Sequence, residues 1–85
     1  METENTKQSE KELSYGEKAV GITFNPSNNG DVDRCKIQFA NLINQMDTLR
    51  KKESASSEQK RLASVAITEM QTAQMWAVKA LTWKD

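Results

Sequence analysis

Arg61, Ser64, Thr68, Gln71, Thr72 and Lys79 fall within about 100° of one another on a helix turning 100° per residue. Met75 interrupts the stripe. A solvated face is the more frequent meaning of such a pattern, but those faces are usually rich in Glu and Lys. This one holds two cations, no carboxylate, and several hydroxyls and amides. Cations and hydroxyls suit a phosphodiester, and amides suit the edge of a nucleobase.

A second cluster lies upstream in "FNPSNNGD", residues 24–31. Phe24 precedes the chain's one proline, Pro26, and Asn25 and Ser27 flank that proline. Pro26 and Gly30 shape a turn before a helix in either case. The stretch puts an aromatic and a run of hydrogen-bonding groups on one loop, which reads either as part of a binding site or as a plain helix-entry turn. In the plain alternative, Phe24 packs into the core. Lys18, a few residues earlier, is a third candidate cation for a phosphate.

The composition excludes several chemistries. There is no histidine and one cysteine, Cys35, so neither a zinc site nor an internal disulfide is expected. Without histidine, Cys35 has no base to activate it and reads as a small buried hydrophobe. No two carboxylates pair on one helical face as an acid/base couple. The sequence therefore predicts no enzyme and no cofactor. The formal charge is zero over 85 residues, which argues against a DNA or RNA polymer as partner. No apolar run approaches membrane-spanning length and no signal-peptide core is seen, so a cytosolic protein is expected.

These groups need elements to carry them. Residues 1–13 have two more carboxylates than ammonium groups and few apolar anchors, which predicts a flexible tail. Residues 14–30 form a short arm: Ser14 and Glu17 have capping-box spacing, but Gly16 and Gly21 weaken a helix, so an irregular conformation is expected. A helix is predicted over about 31–51, with Val32, Cys35, Phe39, Leu42, Met46 and Leu49 as its apolar seam and Ile43 widening it. Ser56 and Gln59 predict a second helix over about 57–82, roughly 39 Å long. The short polar link between them makes the two antiparallel.

The second helix has more apolar surface than one neighbour can cover. Ala63, Ile67, Met70, Ala77 and Leu81 form one stripe. Leu62, Ala66, Ala73, Trp76, Ala80 and Trp83 form another beside it. A two-helix hairpin cannot bury both, and each exposed large side chain forfeits about 1.5–3 kcal/mol. A chain of this size is also marginal alone. The expected fold is all-α: a single domain over 14–85, an antiparallel two-helix hairpin with a short N-terminal arm, assembled into a homo-oligomeric helical bundle.

With both helices in view, residues 61–83, "RLASVAITEMQTAQMWAVKALTW", resemble the second helix of the phage anti-CBASS and anti-Thoeris sponges, which share a helical-hairpin domain. The pattern that carries the likeness is Arg61, Ser64, Thr68, Gln71, Met75 and Lys79, followed by Ala80; members of the family often have arginine at the position of Lys79. Residues 16–36, "GEKAVGITFNPSNNGDVDRCK", also resemble the arm and first helix of this group. The likeness spans about 14–84.

The resemblance implies a non-enzymatic immune-evasion protein in the cytoplasm of the host bacterium. It would sequester cyclic oligonucleotide or cyclic ADP-ribose signals without cleaving them. Homo-oligomers, often hexamers, with ligand sites between protomers are also implied, and 24–31 would be a loop closing over the nucleotide, with Phe24 stacking on a base and Asn25 and Ser27 supplying polar contacts. The site expected is Lys18, Phe24, Asn25, Pro26, Ser27, Arg61, Ser64, Thr68, Gln71 and Lys79. The competing expectation is a structural hairpin that oligomerises and binds a protein through Trp76 and Trp83.

Overall fold

The computed structural model describes residues 12–85. Most of the flexible tail expected over 1–13 lies outside them. The described chain is all-helical: α1 spans Tyr15–Val20, α2 Gly30–Lys51 and α3 Ser57–Leu81.

Where an irregular arm was expected, α1 is a helix. The Ser14 hydroxyl accepts from the Glu17 N–H at 3.1 Å, and the Glu17 carboxylate accepts from the Ser14 N–H at 2.8 Å. Gly21 ends the helix at φ 64, the left-handed conformation glycine adopts at no steric cost. Six residues cannot sustain a helix in water, so tertiary contacts must hold α1. Gly16 supplies one of them. A Cβ there would run into the Ala40 carbonyl and stand 2.8 Å from Asn44 Oδ1. Asn44 then grips the bare backbone: its Oδ1 accepts from the Gly16 N–H at 2.7 Å and its Nδ2 donates to the Ser14 hydroxyl at 3.0 Å.

Helix α2 is capped by Asn29, whose side chain accepts from the Asp31 N–H at 2.8 Å. Asp31 and Asp33 in its first turn and Arg50 and Lys51 in its last complement the helix dipole. A five-residue connection, 52–56, leads to α3, which opens with a Ser56–Gln59 capping box. The two long helices are antiparallel. Arg50 meets Ser64 beside the connection, and Val32 shares a cavity with Val78 and Thr82 at the far end.

The core is built from Val20, Ala40, Ile43 and Ile67, with Ile22, Phe39, Met46 and Met70 packed around it. Its face on α2 differs from the expected seam. The buried positions are Val32, Lys36, Ala40, Ile43 and Asp47. Leu42, an expected seam residue, is 50% exposed, and Cys35, Phe39, Met46 and Leu49 are half-buried. The cause is α1, which rests mainly on α2. Its close crossing at Gly16 needs a small residue opposite, and Ala40 is that residue, so the buried face turns by about one position. On α3, Ala63 and Ile67 are buried as expected, with Met70 and Ala77 half-buried. Leu81 is 40% exposed.

Asp47 sits at the other end of the core, accepting from Lys51 at 2.9 Å and Arg50 at 3.0 Å. Those bonds, Lys51 first, hold its carboxyl below the usual carboxylate range against the opposing effect of burial. Arg50 also donates to the Ser64 hydroxyl at 3.2 Å and lies 5.1 Å from the Tyr15 ring centroid, which ties all three helices together.

Candidate functional site

The 24–27 loop joins the first turns of α2 and the last turns of α3 around a cavity of about 190 Å³. Phe24, Pro26, Val32 and Val78 give it apolar walls, and Lys36 and Thr82 line it as well. Phe24 is 67% exposed, so the ring is outside the core.

Internal hydrogen bonds fix the loop. The Phe24 N–H donates to the Gly21 carbonyl at 2.9 Å and the Asn28 N–H to the Asn25 carbonyl at 3.1 Å. Asn28 takes the left-handed conformation at φ 59, which asparagine tolerates better than most residues. Asn25 Nδ2 donates to the Asn29 carbonyl and to Asp33 Oδ1, both at 2.9 Å. The Ser27 hydroxyl donates to Asn25 Oδ1 at 2.6 Å and accepts from the Asn29 N–H at 3.2 Å.

Lys36 is the residue sequence reasoning missed. It is 5% exposed, and its Nζ donates to the Gly21 carbonyl at 2.9 Å and also to the Phe24 carbonyl. The same nitrogen lies 5.6 Å from the Phe24 ring centroid. Among the described residues, no carboxylate pairs with it within 4.0 Å. Its signal in the sequence was its helical register with Val32, Ala40 and Ile43, which places a lysine on a buried face.

The remaining expected residues lie elsewhere on the chain. Lys18 is exposed on α1 and does not line the Phe24 cavity. Arg61 and Lys79 are eighteen residues apart on α3, roughly 27 Å along its axis. Arg61 is bound at both ends of its fork by Glu58, at 3.1 and 2.7 Å, so this part of the stripe is neutralised by a neighbouring carboxylate. Ser64 is engaged by Arg50. Thr68 is exposed, and its carbonyl accepts from the Thr72 hydroxyl at 3.2 Å. Gln71 is half-buried. The Lys79 ammonium lies 5.9 Å from the Trp76 ring centroid, on an exposed surface with Met75. The single chain therefore gathers Phe24, Asn25, Pro26 and Ser27 with Lys36, and leaves the polar stripe of α3 apart from them.

No helix among the described residues is long and apolar enough to cross a membrane, and no group of three or more potential ligands there could hold a metal ion. No curated protein and no solved structure matches the chain significantly. The model of the Acb2/Tad1 hairpin domain matches residues 17–82, which include the end of α1, the Phe24 loop, α2, the connection and all of α3. With that match over most of its length, the chain belongs to the Acb2/Tad1 hairpin family, the anti-CBASS and anti-Thoeris sponges.

Proposed function

We propose that the protein binds cyclic oligonucleotide or cyclic ADP-ribose second messengers of bacterial antiphage signalling and sequesters them unaltered in the host cytoplasm. The observation that carries this reading is Lys36. An ammonium taken out of water costs several kcal/mol unless it is paired. Two of its three N–H groups reach carbonyls, and no described carboxylate compensates the charge. A cation held this way on the wall of an open cavity is complementary to an anion. The exposed ring of Phe24 above it offers a stacking surface, worth about 1–3 kcal/mol per base. Phosphate and base are the two halves of a nucleotide, and family membership points to the same ligand class.

The stripe of α3 enters the proposal through assembly. Leu62, Trp76 and Trp83 are 52, 67 and 63% exposed. Burying this face between copies of the chain, in a hexamer or another closed ring, would bring Arg61, Ser64, Thr68, Gln71 and Lys79 of one protomer towards another. Lys18 is available to such a shared site from its exposed place on α1. The same tryptophans favour the runner-up, a hairpin that binds a protein partner.

Calorimetric titration with cyclic di-AMP, cyclic di-GMP, cyclic tri-AMP and cyclic ADP-ribose tests the reading. Saturable binding, followed by recovery of intact ligand from the denatured complex, is expected. No heat with any of the four, or recovery of a cleaved product, would refute it.

A further inference from the structure

We propose that Asn25 and Asp33 are positioning residues, which hold the 24–28 loop as a preformed platform beneath Phe24, and that Asn25 and Ser27 support the nucleotide site without donating a hydrogen bond to the nucleotide. This rests on the reading that the ligand stacks on Phe24.

The argument is one of hydrogen-bonding capacity. A carboxamide has two N–H donors and one acceptor oxygen. Both donors of Asn25 are used, on the Asn29 carbonyl and on Asp33 Oδ1, and its oxygen already accepts from Ser27. Ser27 has spent its one proton on Asn25 and accepts the Asn29 N–H. No donor of either side chain is left for a phosphate or a base. A ligand that took one would break a bond to the loop itself. The most distant of these partners is Asp33, on the first turn of α2, so the Asn25–Asp33 bond ties the loop to a rigid element. Lys36 pins the same loop from the buried side, through the Gly21 and Phe24 carbonyls. Held from two sides, the backbone at Phe24 is ordered before any ligand arrives, while the ring is left exposed. The ordering cost that a closing loop would pay on binding is already met.

The test uses the full chain, with cyclic di-AMP and cyclic tri-AMP as probes, and the variants Asn25→Ala, Asp33→Ala, their double, and Asp33→Asn. Asparagine at 33 still offers an oxygen to Asn25 Nδ2. If the pair acts as one unit, each alanine variant binds about tenfold more weakly, the double no more weakly than either single, and Asp33→Asn within about twofold of wild type. Helix content and Tm stay close to wild type throughout. In the ligand-free protein, the backbone order parameter at Phe24 is about 0.85 and falls below about 0.6 in Asn25→Ala. Loss of affinity in Asn25→Ala but not in Asp33→Ala would show that Asn25 meets the ligand directly and would overturn the proposal. So would a mobile Phe24 backbone in the wild type that orders only with ligand. Absence of binding by the wild type, with the loop ordered in solution, overturns the functional reading and with it the ligand role of the pair, and the order parameter identifies which step failed.

Discussion

Replacing Lys36 with methionine separates what the ammonium does for the fold from what it does for a ligand. The side chains have similar length, so the stem still fills the space beside Val32, and only the charge and its donors are lost. Two terms oppose each other in the stability. Two hydrogen bonds from a charged donor disappear, each worth about 1.5–3 kcal/mol. The desolvation of a 5% exposed ammonium, several kcal/mol, disappears with them. The Gly21 carbonyl keeps the Phe24 N–H at 2.9 Å, while the Phe24 carbonyl, on a residue that is 67% exposed, loses its one described partner. The terms nearly cancel, and the net change is expected within about 1 kcal/mol, a Tm shift of no more than about 8 °C. Binding has no such cancellation. An anion would lose a charge-assisted bond worth about 1.5–3 kcal/mol, so affinity should fall roughly ten- to a hundredfold. Calorimetry with the best-bound cyclic nucleotide and thermal melting by circular dichroism measure both on one sample. Affinity within threefold of wild type, together with a Tm loss well beyond the stated range, would show that Lys36 is only a structural pin and would refute the reasoning.

Phe24→Ala should weaken nucleotide binding by about 1–3 kcal/mol and Phe24→Tyr should be nearly silent, while both melt like wild type because the ring is already exposed; titration and melting check this. Gly16→Ala should cost about 1–3 kcal/mol in chemical denaturation, because its Cβ meets the Ala40 carbonyl and Asn44, whereas Gly30→Ala, with nothing within 4 Å, should be neutral or gain about 0.4–1 kcal/mol. Asp47 has a lowered carboxyl pKa, so its stabilising effect is fully present above the unfolded-state value and is lost as pH falls through the depressed folded value. In Asp47→Asn, denaturant midpoints followed through the acid range should lose that part of the pH dependence. Ala73→Glu should leave the protomer folded, since Ala73 is exposed, but lower the mass seen by light scattering if α3 is the assembly surface; an unchanged oligomer would place the interface elsewhere.

The two long helices were legible because their signals are local. The capping box at Ser56 forms with Gln59, and the apolar positions Ala63 and Ile67 of α3 are buried; the box at Ser14 forms too, but the two glycines beside it hid the short helix it starts. The register of α2 was not legible, because the contact that decides it, Gly16 against Ala40, joins residues far apart in sequence. Lys36 was passed over for the same reason: a lysine reads as solvated until the carbonyls of Gly21 and Phe24 are found above it. The neutralisation of Arg61 was open to view, since Glu58 lies three residues away. It was overlooked because a stripe drawn by angle alone leaves out a neighbour just outside its edge.

The five-residue connection between α2 and α3 also sets the order in which the structure opens and closes. The Arg50–Ser64 bond spans fourteen positions, so the long helices can zip together from the connection through short loop closures, the topology of a fast folder. The Gly16–Asn44 bond spans twenty-eight, and α1 has little of its own helix to contribute. Docking of α1 therefore comes late in folding, and its release comes early in unfolding. Amides of 15–22 should exchange with solvent at lower free energy than those of the α2–α3 hairpin. The Phe24 loop is strung between these two units. Its carbonyl contact to Lys36 belongs to the stable one and its chain connection to α1 belongs to the labile one, so a ligand seated there would slow hydrogen exchange in a helix it does not touch.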